Sequence, residues 1–403
     1  MTHLFLVFSH FDTGGLQTAM VRMARWCKDN AHDCLIIFET CDEQMVGMCN
    51  DEGLSYLHSF RAGEIAGAVR ERASNAGDEA LVITFELPEF LFFERVRSQY
   101  LEGLTVHHII YNVSVGSMVY GGGLSRPFAR IVGKLNRLLG ERMRDCGQLY
   151  FMDEETRDAA FDGLGLEGKD DVDRIIPLPM FVSPEPSPRS LGSFEGGRTI
   201  LSVARAAFPF KGYLLGLVDS FPIVHERYPD IKLRIVSFGP DIGRLKDAIA
   251  HCPEPTRSAI ELVGQSSTEQ IREMLGEAWL YVGMGTTVLD AADVGVPAIV
   301  SCHHTEKDTC LGFFCDSPGE VAFAGEGVPS VNLIQRVADM DGVRYRDLAH
   351  RTYNAYAQTY DIERVMPRVF RIRETSGGRS ATYFLGYLLF GLLRLARRRV
   401  LRL

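Results

Sequence analysis

One rhythm, run twice, constrains this chain more than any other feature. From the N-terminus, short runs rich in Val, Ile, Leu and Phe alternate with segments of helical period, placing strands at 4–8, 34–38, 54–57, 81–85, 106–111 and 148–151. Between the first two, Leu16, Ala19, Met20, Met23, Ala24 and Cys27 recur every three or four positions and put an apolar stripe on one helix. The rhythm stops at Ser183-Pro-Glu-Pro-Ser-Pro188, with Gly192 and Gly196-Gly197 beyond, then restarts with strands at 199–203, 232–237, 260–263, 280–282 and 298–301. Strands alternating with helices build parallel sheets, so the fold class is α/β with two Rossmann-like, doubly wound domains facing across a cleft. The expected organisation is a first domain at 1–182, a linker at 183–197, and a second domain at 198–345. Helices at 346–378 are expected to return toward the first domain, and 379–403 forms a tail. A length of 403 residues exceeds what one ordinary core supports. No period of about 20–50 residues appears, which excludes a solenoid.

Composition narrows the class. An apolar fraction of 46% with 24% charge describes a globular protein. The opening Met-Thr-His-Leu-Phe-Leu-Val-Phe lacks a positive leader and reaches Ser9-His10 after five apolar residues, so it reads as a first strand rather than a signal peptide. A cytoplasmic protein is expected. Nine cysteines without a Cys-x-x-Cys pair suit reduced thiols, and the run Cys302-His303-His304 with Cys310 and Cys315 matches no common zinc spacing. The net charge of -9 conceals an asymmetry, because 379–403 carries six arginines and no acid. An acidic body with a basic tail argues against a nucleic-acid partner, which calls for positive charge on the main surface.

Two segments carry chemistry. In Thr199-Ile-Leu-Ser-Val-Ala-Arg205-Ala-Ala-Phe-Pro-Phe-Lys211-Gly212, a buried strand delivers Arg205 into the loop at its carboxyl end, and Lys211 precedes a helix. Two cations there can hold a diphosphate and stabilise its charge as it leaves. Spacing alone reads equally as two surface charges near a turn. In the second segment a strand ends in Gly283-Met-Gly285, Thr286 and Thr287 begin a helix, and Asp290 follows. Helix amides bind phosphate and an acid accepts ribose hydroxyls, although such an acid often only faces the helix dipole.

In conjunction these segments resemble the donor-binding domain of glycosyltransferase family 4, the retaining, nucleotide-sugar-dependent enzymes of GT-B fold. The resemblance adds Tyr228-Pro-Asp-Ile-Lys-Leu-Arg-Ile-Val-Ser-Phe-Gly239-Pro240, Ile260-Glu-Leu-Val-Gly264 and Gly285-Thr-Thr-Val-Leu-Asp-Ala-Ala-Asp-Val-Gly-Val-Pro297, in the family's order. It spans about residues 4–301, with Gly14-Gly15 and Ile175-Ile-Pro-Leu-Pro179 as the first half's share. It implies that Arg205 and Lys211 hold the diphosphate, assisted by Thr286, Thr287 and their amides, and that Asp290 takes the ribose. Gly239, Gly264 and Gly285 line the nucleotide, and Gly14 and Gly15 let the first-domain loop approach the phosphates.

The sequence also departs from the family. Where the family has two glutamates eight apart, this chain has Val282 and Asp290, and the place of a first-domain histidine reads Tyr111-Asn112-Val113-Ser114. His107 and His108 lie within a strand and read as packing residues. His10, Glu86 and Ser114 follow strands on the cleft side and stand as catalytic candidates. Asp171-Val-Asp173 reads as a solvated turn, since two cations and a helix terminus serve the phosphates without a metal.

The tail runs thirteen uncharged residues from Ala381 to Leu393 and then turns basic, too short to span a bilayer but suited to lie on anionic lipid. The other reading is a C-terminal helix packed on the protein. At 126–139, Arg126, Arg130, Lys134 and Arg137 share one face, and Phe128, Ile131, Val132, Leu135, Leu138 and Leu139 supply an apolar side. The resemblance implies docking there too, peripheral on the inner face of the plasma membrane. The reading in full is transfer of a hexose-type sugar, with retention, from a UDP-linked rather than GDP-linked donor to a lipid-linked or surface-polysaccharide acceptor. No tightly bound cofactor and no metal are called for. The alternatives are a nucleotide-sugar epimerase of the same fold and a degenerate, membrane-associated nucleotide binder.

Overall fold

The computed structural model describes residues 1–113, 126–168, 174–184, 197–375, 382–389 and 391. The chain divides into two compact units, one of Met1–Phe181 with Ile362–Leu403, the other of Val182–Asp361.

The first unit runs β1 Thr2–Val7, β2 His10–Phe11, α1 Gly15–Asp29, β3 Cys34–Phe38, β4 Thr40–Cys41, α2 Glu43–Asp51, β5 Tyr56–His58 and α3 Ala62–Arg72. It continues with β6 Glu79–Thr84, α4 Leu87–Tyr100, β7 Thr105–Asn112, α5 Arg126–Asp145, β8 Leu149–Phe151 and α6 Glu154–Leu164. Six of these strands form a parallel sheet in the order β5-β3-β1-β6-β7-β8, and β2 pairs with β4 beside it. In β1, Leu4 and Leu6 enter the core that holds Trp26 of α1, while Phe5 and Val7 enter the core that holds Phe93 and Val96 of α4. Both faces of the sheet are thus covered, which is why its strands read as unbroken apolar runs. Strand order reverses between β1 and β6, where α1 and α4 leave to opposite faces.

The second unit runs β9 Arg198–Val203, α7 Tyr213–Arg227, β10 Ile231–Val236, α8 Ile242–His251, α9 Glu254–Arg257, β11 Ile260–Val263, α10 Thr268–Glu277 and β12 Leu280–Gly283. There follow α11 Thr286–Asp293, β13 Ala298–Ser301, β14 Thr309–Phe313, β15 Val328–Pro329, α12 Ser330–Ala338 and α13 Gly342–Tyr360. The sheet order is β11-β10-β9-β12-β13-β14-β15, parallel through β13 and antiparallel beyond, with its reversal between β9 and β12. This unit extends to Asp361 rather than to the expected 345, because α13 packs into its core. Tyr345 stacks on buried Trp279 at 6.5 Å and donates its hydroxyl to the Trp279 carbonyl at 2.7 Å. The next helix, α14 Ile362–Val369, belongs to the first unit: Ile362, Val365, Met366 and Val369 enter the core around Trp26, and the Ile362 amide donates to the Met180 carbonyl at 2.8 Å.

A buried polar network fastens the segment after α14 to the first unit. Arg97 holds the Glu374 carboxylate with two hydrogen bonds at 2.8 and 2.9 Å and reaches Glu94 at 3.3 Å. Glu94 in turn sits 2.7 Å from Nδ1 of His108, whose Nε2 is 3.2 Å from the Thr84 hydroxyl. Residues 382–389 are helical. Tyr383 is buried and donates to Gln148 at 2.5 Å, while Tyr387 accepts from Arg95 at 2.7 Å. Phe384, Leu385 and Leu388 on the same stretch are exposed. On α5, Val132 and Leu139 are buried, whereas Ile131 and Leu138, expected on the apolar side, are 60% and 54% exposed beside the cations. Among the described residues no helix is long and apolar enough to cross a membrane.

Candidate functional site

The reversal point of the second sheet is where an open α/β sheet forms a ligand crevice, because neighbouring loops leave to opposite faces. Both chemistry-bearing segments end there. β9 releases the chain at Val203, and Arg205 stands two residues on. The loop folds back through hydrogen bonds from the Ala206 amide to the Phe238 carbonyl at 2.7 Å, the Phe208 amide to Asp241 Oδ2 at 2.7 Å, and the Lys211 amide to the Ala207 carbonyl at 2.9 Å. Gly239, at φ +131°, makes that fold possible, since a Cβ there would lie 2.7 Å from the Ala206 carbonyl oxygen and 2.9 Å from Cγ of Arg205. Gly239→Ala is expected to push the guanidinium aside and lower nucleotide affinity by about tenfold or more, measured by titration calorimetry with UDP.

Arg205 is exposed and Lys211 half-buried, and neither side chain has a hydrogen-bond or ion-pair partner among the described residues. Burial pushes the Lys211 ammonium below its ordinary value. A desolvated cation without a counter-charge, as Lys211 is here, is costly unless an anion arrives.

β12 pairs with β9 through Leu280–Ile200 and Tyr281–Leu201, which brings the start of α11 beside the end of β9. Gly285 precedes that helix at φ +79°, the left-handed region where a side chain is strained. The Thr287 hydroxyl lies 2.5 Å from the Tyr281 hydroxyl, and both oxygens are 3.4 Å from the Val203 carbonyl. Thr287 thus fastens the helix to the strand, while the Thr286 hydroxyl is without a partner among the described residues. In the first turn of α11 the Val288 amide donates to the Gly285 carbonyl at 3.0 Å, while the amides of Thr286 and Thr287 precede the helix's internal bonds. Asp290 is half-buried one turn on, near enough for its charge to act on Tyr281, whose phenol is held well above its usual value first by burial.

Val282 is 1% exposed and packs in the core with Leu280 and Ile299. The position that carries an acid in the resembling family is here a packing position. Gly264 ends the edge strand β11, exposed and with open space around it, and β10 separates it from β9.

The remaining candidates lie in the first unit. Gly14 precedes α1 and Gly15 opens it, while His10 places Nδ1 3.0 Å from the Thr40 hydroxyl. Glu86 is half-buried before α4, and burial together with the charge of Glu89 pushes its carboxyl up. Ser114 lies outside the described residues, as do Asp171 and Asp173. His108 is fully buried in the Glu94–Arg97 network, and His107 packs beside Glu79 at 4.0 Å. Sequence reasoning passed over Glu89, a 3%-exposed carboxylate in the first turn of α4. An acid at a helix start is ordinarily a dipole partner, and nothing in the sequence sets this one apart. Among the described residues no group of three or more His, Cys, Asp or Glu side chains is arranged to hold a metal ion, and the nine cysteines are free.

No family model and no curated protein sequence matches the chain. Solved structures do. A glycosyltransferase from Rickettsia africae superposes with a TM-score of 0.63 at 13% identity, over 92% of this chain and 97% of that one. HepE from Anabaena, in complex with UDP-glucose, gives 0.59 at 11% identity over 91% and 98%. A TarM variant from S. aureus, in complex with fondaparinux, α-GlcNAc-glycerol and UDP, gives 0.58 at 10% identity over 92% and 99%. Likeness over nine-tenths of the chain, with two α/β units built on parallel sheets, establishes that this protein has the fold of the GT-B glycosyltransferases.

Proposed function

We propose that the chain is a glycosyltransferase that moves a hexose-type sugar from a nucleotide diphosphate sugar, UDP-linked rather than GDP-linked, to a hydroxyl of a lipid-linked or surface-polysaccharide acceptor, with retention. The observation that carries this reading is the pair of partnerless cations, Arg205 and Lys211, in the loop at the reversal of the second sheet where α11 also starts. Breaking a glycosidic bond to a diphosphate leaves an oxocarbenium-like centre and a departing anion, and cations fixed in advance stabilise that charge as it develops. The α11 amides and Thr286 supply further donors, and Asp290 accepts from ribose. The complexes of HepE with UDP-glucose and of TarM with UDP support a uridine donor. Retention rests on the family resemblance.

Titration calorimetry with UDP and GDP, followed by hydrolysis of UDP-glucose, UDP-galactose, UDP-N-acetylglucosamine and GDP-mannose, tests the reading. UDP is expected to bind more tightly, and at least one UDP-sugar to be turned over; failure to bind either nucleotide overturns it. Val282 in the core favours a second reading, a nucleotide binder without turnover, which binding without hydrolysis would indicate.

A membrane-bound acceptor fits two exposed surfaces of the first unit. α5 presents Ile131 and Leu138 among Arg130, Lys134 and Arg137, and residues 382–389 present Phe384, Leu385 and Leu388 just before the arginine-rich end. Exposed apolar side chains interleaved with cations suit the boundary of an anionic bilayer. The protein is expected to float with vesicles containing about a third phosphatidylglycerol and to be released by replacing Phe384, Leu385 and Leu388 together with Ser; binding to neutral vesicles alone would contradict the electrostatic part.

A further inference from the structure

The loop that carries Arg205 and Lys211 is held from a direction that its own sequence does not announce. Beyond β13 the chain runs Cys302-His303-His304-Thr305-Glu306 and crosses to the loop after β9. The His304 amide donates to the Phe210 carbonyl at 3.0 Å, one residue before Lys211. One residue after Lys211, a Cβ on Gly212 would lie 2.5 Å from the Thr305 carbonyl oxygen and 2.8 Å from Cγ of Glu306. A single segment thus brackets Lys211 on both sides. Glu306 in turn takes two hydrogen bonds from Arg244 at 3.1 and 2.9 Å, and that guanidinium stands 5.4 Å from the centre of the Phe208 ring in the same loop.

His304 holds a backbone conformation that its side chain disfavours. Its φ of +54° lies in the left-handed region, which among the described residues other than glycine only Ala31 shares. Glycine takes that conformation without strain, so the imidazole is kept there at a cost, as happens where a side chain serves a site. The His304 ring packs edge-on against Phe210 at 5.1 Å, and its Nδ1 lies 2.6 Å from Nδ1 of His303, whose own ring is 5.8 Å from Phe210. At that separation one Nδ1 donates and the other accepts, which fixes the orientation of both rings. Phe210 is 43% exposed and His303 only 7%, so the fixed element of this stack is His303, and His304 connects it to the loop.

We propose that His304 is a positioning residue for Lys211: through Phe210 and its hydrogen bond with His303, it sets where the ammonium stands to receive a diphosphate. The inference deepens the nucleotide-sugar reading and rests on it for the identity of the anion. Its physical content is preorganisation. Lysine carries its charge on a flexible stem, so the backbone beneath must be fixed if the charge is to be aimed, and a misplacement of about 1 Å is enough to forfeit much of a charge-stabilising contact.

The test uses the full chain and His304→Gly, which accepts the same φ and removes the imidazole. Its first readout needs no nucleotide: lysines carrying isotope-labelled methyl groups are followed by NMR across pH, with the Lys211 signal assigned by its absence from Lys211→Met. Lys211 of the parent is expected to titrate below an ordinary lysine, and that of His304→Gly about half a pH unit or more closer to one, because the displaced ammonium gains solvent. The second readout is UDP affinity by calorimetry. His304→Gly is expected to weaken it by about tenfold, and to change it by less than about twofold when Lys211 is already Met. Phe210→Ala removes the other side of the contact, is expected to act in the same way, and serves if His304→Gly does not fold. An unchanged Lys211 titration overturns the inference, as does an equal loss of UDP affinity with and without Lys211. A parent that binds no UDP sinks the nucleotide-sugar reading instead, and the lysine titration then decides alone whether His304 positions Lys211.

Discussion

Replacing Lys211 by Met is expected to lower sugar transfer by about 10²–10³-fold, the scale of losing one fixed charge-stabilising donor, while raising the thermal midpoint of the free protein. The two effects have one cause. The ammonium is half-buried, no carboxylate pairs with it among the described residues, and burial lowers its pKa. A lysine whose folded-state pKa lies below its unfolded value disfavours folding while it is charged, at pH below the folded value, and that penalty fades as pH rises through it. Met removes the charge and keeps an unbranched apolar stem, so the penalty goes and the packing stays. Calorimetric melting of the free protein beside a donor-hydrolysis assay reads both. Lost activity with a lower midpoint would make Lys211 a structural residue instead. Arg205→Ala is expected to lose activity as well, without the gain in stability, because Arg205 is exposed.

Arg97→Ala is expected to destabilise the first unit by about 3–5 kcal/mol, the cost of breaking a buried ion pair from one side. Arg97 spans Glu94 and Glu374, whose side chains are 8% and 2% exposed, and its removal leaves Glu94 with the His108 imidazole and Glu374 with the neutral His108 amide and Gln148 side chain. The pH dependence has a definite sign. Burial would raise the Glu94 pKa, but the His108 hydrogen bond and the Arg97 charge outweigh it and the net shift is downward. A carboxyl with a depressed folded-state pKa stabilises above its unfolded value, and that contribution is lost as pH falls through the folded one. The gap between variant and parent is therefore expected to be widest near neutrality and to narrow in acid, as measured by urea unfolding at several pH values. A pH-independent gap would mean that lost packing, rather than charge, dominates.

The parallel strands of both sheets were legible because covered faces demand unbroken apolar runs, as at Leu4–Val7 in β1. β14 and β15 were not. Thr309–Phe313 carries Gly312 at φ +150° opposite a register shift, and β15 is two residues long and ends in proline, so neither leaves an apolar run. The reach of α13 into the second unit was also hidden, since Tyr345 and Leu348 reveal their partner only when Trp279 is folded against them. Arg205, Lys211 and the α11 entry were legible because strand, cation and glycine follow in fixed order along the chain. Glu89 was not, because the Ser9 hydroxyl that bonds its carboxylate lies 80 positions away in sequence.

Trp26 and Trp279 are the chain's two tryptophans, and each is buried in a different unit. Nature has placed one fluorophore per unit. Emission from a Trp26→Phe variant would report the second unit alone, and from a Trp279→Phe variant the first alone. Ligand-induced changes in melting could then be assigned to the half of the molecule that binds, with no label attached.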